Sequence, residues 1–330
     1  MPTTIHAPFP ALRLRRTRLH PWSRTMVAET RLSPADLIWP IFVTDGPRER
    51  LKTLPFVERV PMAEVGDAVR QAAAAGIPCV ALFPHGEPRS EDASTALSPD
   101  NVMNRAIAEA KAAAPTVGIL ADVALDPYTS HGHDGLLDAH GRVDNDRTLD
   151  ILTAQALVQA RAGADILAPS DMMDGRIGRI RAALEADGFH ERQIMAYAAK
   201  YASALYGPFR EAVGSAGALK GDKRGYQMDP ANAHEALREV ALDLAEGADT
   251  VMVKPGLAYL DILARVAAEF RVPTFAYHTS GEAAMIEGAV ALGAMDRSAA
   301  ILEILGAFKR AGAAGVLTYY ALEAARLLGS

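Results

Sequence analysis

Cysteine is almost absent from this chain: among 330 residues there is one, Cys79. An internal disulfide is therefore impossible, and Cys79, set inside the apolar run Cys-Val-Ala-Leu-Phe-Pro, reads as a buried thiol. Apolar runs stop at strand length, which excludes a helical membrane span. There is no basic excess either. A net charge of -6 with 22% charged residues gives no nucleic-acid footprint. Acidic residues are missing from the first 28 positions, where Arg13, Arg15, Arg16, Arg18 and Arg24 cluster. Arg-rich, acid-poor segments occur in transit peptides and in nucleic-acid arms; the reading adopted is an N-terminal arm, residues 1–36, that packs on a neighbouring subunit.

Half of the residues are hydrophobic, enough for one large domain or two small ones. From Leu37 onward strand-length apolar runs at 37–43, 79–84, 117–125, 166–169, 193–199, 250–253, 273–278 and 315–319 alternate with segments of helical period at 64–75, 101–113, 148–162, 176–187, 232–246, 259–270 and 298–311. Helix-to-strand joints repeat a glycine: Ala75-Gly76, Ala162-Gly163-Ala164-Asp165, Glu246-Gly247-Ala248-Asp249 and Ala311-Gly312. Glycine just past a helix takes the left-handed conformation that other residues resist. Eight such units predict an α/β fold, a (β/α)8 TIM barrel over residues 37–330. No Gly-x-Gly-x-x-Gly follows the first strand, so a doubly wound sheet lacks its usual support.

Chemistry in such barrels sits where strands end. The third strand ends in Asp122 and Asp126 and runs into His131, His133 and Asp134; the fourth ends in Ser170-Asp171, the seventh in His278-Thr279-Ser280, the eighth in Tyr319-Tyr320. Most informative are the fifth and sixth, ending in Lys200 and Lys254. Neighbouring parallel strands lie about 5 Å apart, so each ammonium raises the cost of charging the other. Lowering a lysine from roughly 10.4 to about 7 takes on the order of 4 to 5 kcal/mol, which desolvation and a nearby cation together supply. Taken singly, each residue has a bland explanation: a helix cap, a snorkelling lysine or an exposed histidine. Two adjacent strands ending in lysine make the bland readings jointly improbable.

Between Lys200 and Asn232 runs a segment with little periodicity, rich in glycine and carrying Arg210, Lys220, Lys223 and Arg224. So long a connection in a compact domain reads as an active-site lid, about 201–231. Its basic side chains suit an anionic substrate, in particular a carboxylate.

Several long motifs in fixed order resemble one family. They are Asp-Val-Ala-Leu-Asp-Pro-Tyr-Thr-Ser-His-Gly-His-Asp-Gly (122–135), Ala-Pro-Ser-Asp-Met-Met-Asp-Gly-Arg-Ile (168–177), Met-Ala-Tyr-Ala-Ala-Lys-Tyr-Ala-Ser (195–203), Tyr-Gly-Pro-Phe-Arg (206–210), Tyr-Gln-Met-Asp-Pro-Ala-Asn (226–232) and Val-Met-Val-Lys-Pro-Gly (251–256). From about Leu12 to the C-terminus the chain is similar to the porphobilinogen synthase, or 5-aminolevulinate dehydratase, family. The resemblance implies a lyase that condenses two 5-aminolevulinate molecules to porphobilinogen with loss of two waters, early in tetrapyrrole biosynthesis. It implies Lys254 as the Schiff-base lysine of one substrate site and Lys200 as its partner in the other. Ser280 and Tyr319 match the holders of the first carboxylate; Arg210, Lys223 and Gln227 match lid residues that hold the second. Phe209, Ser170, Asp126 and Asp134 complete the implied substrate contacts.

Zinc-using members of that family carry cysteines at the positions of Ala124, Asp126 and Asp134, so no zinc is expected here. Glu239 matches a glutamate that holds Mg²⁺ in magnesium-activated members, which leaves Mg²⁺, or a monovalent cation, as an optional activator. The chain departs from the common pattern at Tyr277-His278-Thr279-Ser280 and at Arg15-Arg16-Thr17-Arg18. The resemblance further implies a cytoplasmic homo-oligomer, an octamer or hexamer of arm-exchanging dimers. A Schiff-base aldolase is the rival enzyme, disfavoured by paired lysines and a carboxylate-type lid, and a silent scaffold would be expected to have lost a lysine or a clamp.

Overall fold

The computed structural model describes residues 8–214 and 217–329. The chain divides into two compact units, residues 1–31 and 32–330. In the first, a 3-10 turn at Leu14–Arg18 precedes α1 (Pro21–Met26). Ser23 is the one buried residue among those described there, while Phe9, Leu14, Trp22 and Met26 are exposed. This segment has no core of its own.

The second unit alternates strand and helix: β1 (Leu37–Thr44), β2 (Glu49–Arg50), β3 (Glu58–Pro61), α2 (Val65–Ala74), β4 (Cys79–His85), α3 (Val102–Ala113), β5 (Gly118–Val123), α4 (Asn145–Ala162), β6 (Ile166–Pro169), α5 (Arg176–Ala186) and β7 (Gln193–Lys200). After it come α6 (Gly207–Ala212), α7 (His234–Ala245), β8 (Thr250–Lys254), α8 (Leu260–Phe270), β9 (Thr274–His278), α9 (Ser280–Ala291), α10 (Arg297–Arg310), β10 (Gly315–Thr318) and α11 (Ala321–Leu328). Strands β1 and β4 to β10 pair in parallel, and β10 closes on β1. The fold is an eight-stranded (β/α)8 barrel, as the alternation predicts.

Helices α6, α9 and α11 and the hairpin of β2 and β3 lie outside the strand and helix segments predicted from the sequence. Helix α9 has no apolar stripe, its small residues being spread around its circumference, so periodicity does not mark it. The hairpin of β2 and β3 is short and charged. Strand β1 is shared along its length: Leu37 and Ile38 pair with β10, whereas Phe42 to Thr44 pair with β3. The hairpin is thereby fixed at the end of the barrel where the strands terminate.

The expected glycine joints all have positive φ, for example Gly163 at 111° and Gly247 at 106°. The aspartate two residues on serves the opposite end of the barrel from the chemistry. Asp165 accepts from the Ile119 N–H at 2.9 Å and Asp249 from the Ile194 N–H at 2.7 Å, each at the start of the preceding strand. Asp249→Ala leaves that N–H without its acceptor and is expected to cost about 1 to 3 kcal/mol. Urea unfolding at fixed protein concentration measures the loss, and substrate affinity should not change.

Candidate active site

Strand alternation alone would not bring Lys200 and Lys254 together. At the start of their ladder Met195 faces Thr250 and Ala196 faces Val251; past a bulge, Ala199 faces Val253 and Lys200 faces Lys254. Had the register of Met195 and Ala196 continued unbroken, Lys200 would stand opposite Pro255, and Lys254 opposite Ala199. A one-residue slip reverses every side chain's face, so the bulge puts both amines into the barrel mouth. Both lysines are buried.

Their surroundings differ. Lys254 Nζ lies within an aromatic box, 4.2 Å from the Tyr277 ring centroid, 4.6 Å from Phe209, 5.1 Å from Tyr197 and 5.6 Å from Tyr206. Among the described residues no direct ion pair holds it. Burial, and then the Lys200 charge, lower its pKa to about 7 against the pull of Asp122, Asp126 and Asp134. Lys200 Nζ instead donates to the Ser170 carbonyl and stands 3.9 Å from Asp134.

Carboxylates line the facing side. Lys223, reaching in from the 201–231 segment, sits 2.8 Å from Asp134 and 3.2 Å from Asp126. Burial raises the Asp134 carboxyl, but Lys223 and Lys200 more than offset it and the pKa ends below the ordinary value. Burial alone also penalises the Lys223 ammonium, yet the two aspartates hold its pKa above the usual lysine value. Asp122, which the sequence reading placed at a strand end without a role, is buried, and desolvation pushes it up to about 6 against the opposing pull of Lys254. Only the tertiary structure reveals that shift. Asp171, its counterpart on the next strand, turns away instead: it accepts from Met173 N and faces Arg176, which binds Asp243 bidentately at 2.9 and 3.0 Å.

Ser280 begins α9, where Thr279 and Glu282 form a capping box. The exposed N–H groups of a helix start favour an anion. Ser280 Oγ accepts from Phe209 N at 2.9 Å, and Tyr319 contacts the Tyr277 hydroxyl at 3.2 Å. Arg210, Gln227, Phe209, Lys223, Asp126 and both barrel lysines line one cavity of about 20 Å³, roughly room for a single water. Among the described residues Arg210 has no ion-pair or hydrogen-bond partner, an uncompensated cation at the cavity wall. His131 and His133 lie outside it and hold the 201–231 segment: His133 meets the Lys220 carbonyl at 2.7 Å and the Tyr226 hydroxyl at 3.1 Å, and Lys220 N donates to the His131 carbonyl.

Glu239 stands apart from the lysines. It is half-buried on α7, with its pKa raised by burial, and lines a larger cavity of about 790 Å³ with Asp174 and Glu235. Among the described residues no three His, Cys, Asp or Glu side chains are grouped to hold a metal. At the positions of the zinc cysteines, Ala124 offers no donor and the two aspartates face an ammonium, so the residues present do not fit zinc. No described helix is long and apolar enough to cross a membrane.

The geometry thus joins paired amines, one of them poised to be neutral near pH 7, with carboxylates and the start of helix α9. Comparison with known proteins gives one family. The family model for delta-aminolevulinic acid dehydratase matches residues 11–327. A Bradyrhizobium diazoefficiens delta-aminolevulinic acid dehydratase is 56% identical over 325 residues, covering 96% of this chain and 91% of that protein. The Rhodobacter capsulatus enzyme of that name is 52% identical, with 99% and 100% covered. The crystal structure of the Toxoplasma gondii enzyme in complex with its reaction product porphobilinogen superimposes with a TM-score of 0.93 at 45% identity, covering 96% of this chain and 91% of that one. Matched from residue 11 to residue 327, this chain belongs to the delta-aminolevulinic acid dehydratase family.

Proposed function

We infer that this chain condenses two molecules of 5-aminolevulinate to porphobilinogen, losing two waters overall, with Lys254 and Lys200 as the two Schiff-base amines. The observation that carries the reading is Lys254 set opposite Lys200 in an aromatic box, with its pKa lowered to about 7. A neutral amine attacks the substrate ketone, and the resulting carbinolamine expels water to leave an imine. The imine withdraws electrons, so a neighbouring carbon can lose a proton and attack the second substrate.

Ser280 and Tyr319 hold the carboxylate of the first substrate, helped by the start of α9. Arg210, Lys223 and Gln227 hold that of the second, and Phe209 and Ser170 complete the walls. Orientation of this kind contributes roughly 7 to 11 kcal/mol. The cavity is too small for two substrates as it stands, so residues 201–231 act as a lid that opens for entry and closes to exclude water. Lys223 supplies positive charge between Asp126 and Asp134, and no step is assigned to zinc. An activating Mg²⁺ would be held at Glu239, away from the lysines.

Exposed apolar residues in the N-terminal segment support a homo-oligomer, octamer or hexamer, in which that segment finds its core on a neighbour. A cytoplasmic location is in keeping with the bacterial relatives.

Lys254→Ala is expected to abolish pyrrole formation while leaving thermal melting near that of the parent; near-normal turnover would rule out the assigned role. Below about pH 7 the Lys254 amine is protonated and cannot attack. Formation of the borohydride-trappable imine on Lys254 therefore rises with pH and levels off above that value. Lys200→Met removes a like charge, so Lys254 keeps its proton to higher pH and the whole limb moves upward; a limb that stayed in place would show that burial alone sets it. Exhaustive chelation should leave the rate of pyrrole formation unchanged. A rate lost on chelation and restored by Mg²⁺ would make an ion site necessary.

A further inference from the structure

The lid's first helix, α6, carries Phe209 and Arg210 into the site, yet at six residues it is too short to be stable alone. Its C-terminal end is held by two arginines from distant parts of the chain. Arg59 Nε donates to the Ala212 carbonyl at 3.0 Å and Arg59 Nη2 to the Glu211 carbonyl; Arg89 Nη2 donates to the Val213 carbonyl at 3.4 Å. Three consecutive carbonyls at the helix end, of which that of Glu211 also accepts from the Gly214 N–H at 3.1 Å, thus meet two cations, which also suit the negative end of the helix dipole.

Neither arginine is there by chance of a flexible side chain. Arg59 is buried on β3, in register with Phe42 of β1, and Glu49 of the hairpin takes its remaining nitrogen. The hairpin also grips α6 through Glu211, whose carboxylate accepts from Lys52 N at 2.7 Å and Thr53 N at 3.1 Å. Arg89 faces two ways. While one nitrogen reaches Val213, Nη1 donates to the Asp126 carbonyl at 3.0 Å and the Thr129 carbonyl at 3.2 Å. One guanidinium therefore joins the end of α6 to the loop that presents Asp126, the residue facing Lys223 from the lid's other half.

We propose that Arg59 and Arg89 are positioning residues for the condensation: they clamp the lid helix shut and, through Arg89, set the Asp126 loop only when the helix is down. The clamp rests on the reading of residues 201–231 as a lid over Lys254. When α6 lifts, Arg59 loses both its carbonyls and Arg89 loses the Val213 carbonyl that anchors its other side, so the Arg89 brace on the Asp126 loop slackens and closure and assembly of the second substrate's site are one event. Binding of the first substrate to Lys254 precedes that event and does not need it.

The test uses the full-length enzyme carrying Arg89→Met, which keeps an apolar stem and removes the donors. Three readouts are compared with the parent: KM against kcat for 5-aminolevulinate, borohydride trapping of labelled substrate on Lys254 at saturation, and tryptic cleavage after Arg210, inside α6. The clamp predicts KM raised about tenfold, cleavage after Arg210 faster by about the same factor, and trapping unchanged. Arg89→Lys, which keeps the charge but not the fork, should recover part of both losses. Unchanged KM and cleavage would overturn the clamp, and so would a fall in trapping and melting temperature alongside the rise in KM, the sign of a merely structural role. If Arg89→Met does not fold, Glu211→Ala releases α6 from the exposed side of the hairpin and must shift KM and cleavage in the same direction, or the clamp is wrong. Absence of trapping in the parent enzyme would refute the role of Lys254, whereas the cleavage readout would still decide the clamp.

Discussion

Two ammonium groups at neighbouring strand ends in an apolar setting repel each other, and everything else at this site answers that repulsion. A lysine charged in low dielectric is costly, and a second beside it costs more. Lys254 relieves the strain by giving up its proton near pH 7. Lys200 is stabilised by the Ser170 carbonyl and the nearby Asp134. The asymmetry lies in the surroundings: rings on four sides for one amine, oxygens for the other.

The carboxylates follow the same logic. Asp126 and Asp134 share the Lys223 ammonium, so their charges are balanced by the lid itself. Removing the lid would leave two buried carboxylates near each other with less compensation, which favours the closed state. Asp122 has no ion pair of that kind among the described residues, and burial raises its proton affinity against the pull of Lys254. Carboxyls of one strand end and its following loop thus acquire different protonation behaviour from position alone.

Closure depends on parts of the chain that carry no chemistry. The hairpin of β2 and β3 hangs on the outer half of β1 and delivers Arg59 and the Lys52–Thr53 amides to α6. Ser280 at the start of α9 holds the opposite end of that helix through Phe209 N. A six-residue helix is kept in place by its ends, and so it can be released without disturbing the barrel.

The sequence by itself determined the barrel, through eight apolar runs alternating with helical periods and glycines at the joints, because those patterns follow from local backbone geometry. It also determined which strand ends bear lysine, aspartate, serine and tyrosine, and the basic, glycine-rich character of residues 201–231. Helix α9 was not legible, since its small residues form no stripe, and a charged hairpin only two residue pairs deep looks like any loop. The pairing of Lys200 with Lys254, the ring box around Lys254, the raised Asp122 and the outward turn of Asp171 were decided only in three dimensions. The reason is physical: a single extra residue in β7 sets which face Lys200 takes, and a pKa depends on the dielectric and charges contributed by other strands, neither of which is encoded at the residue itself.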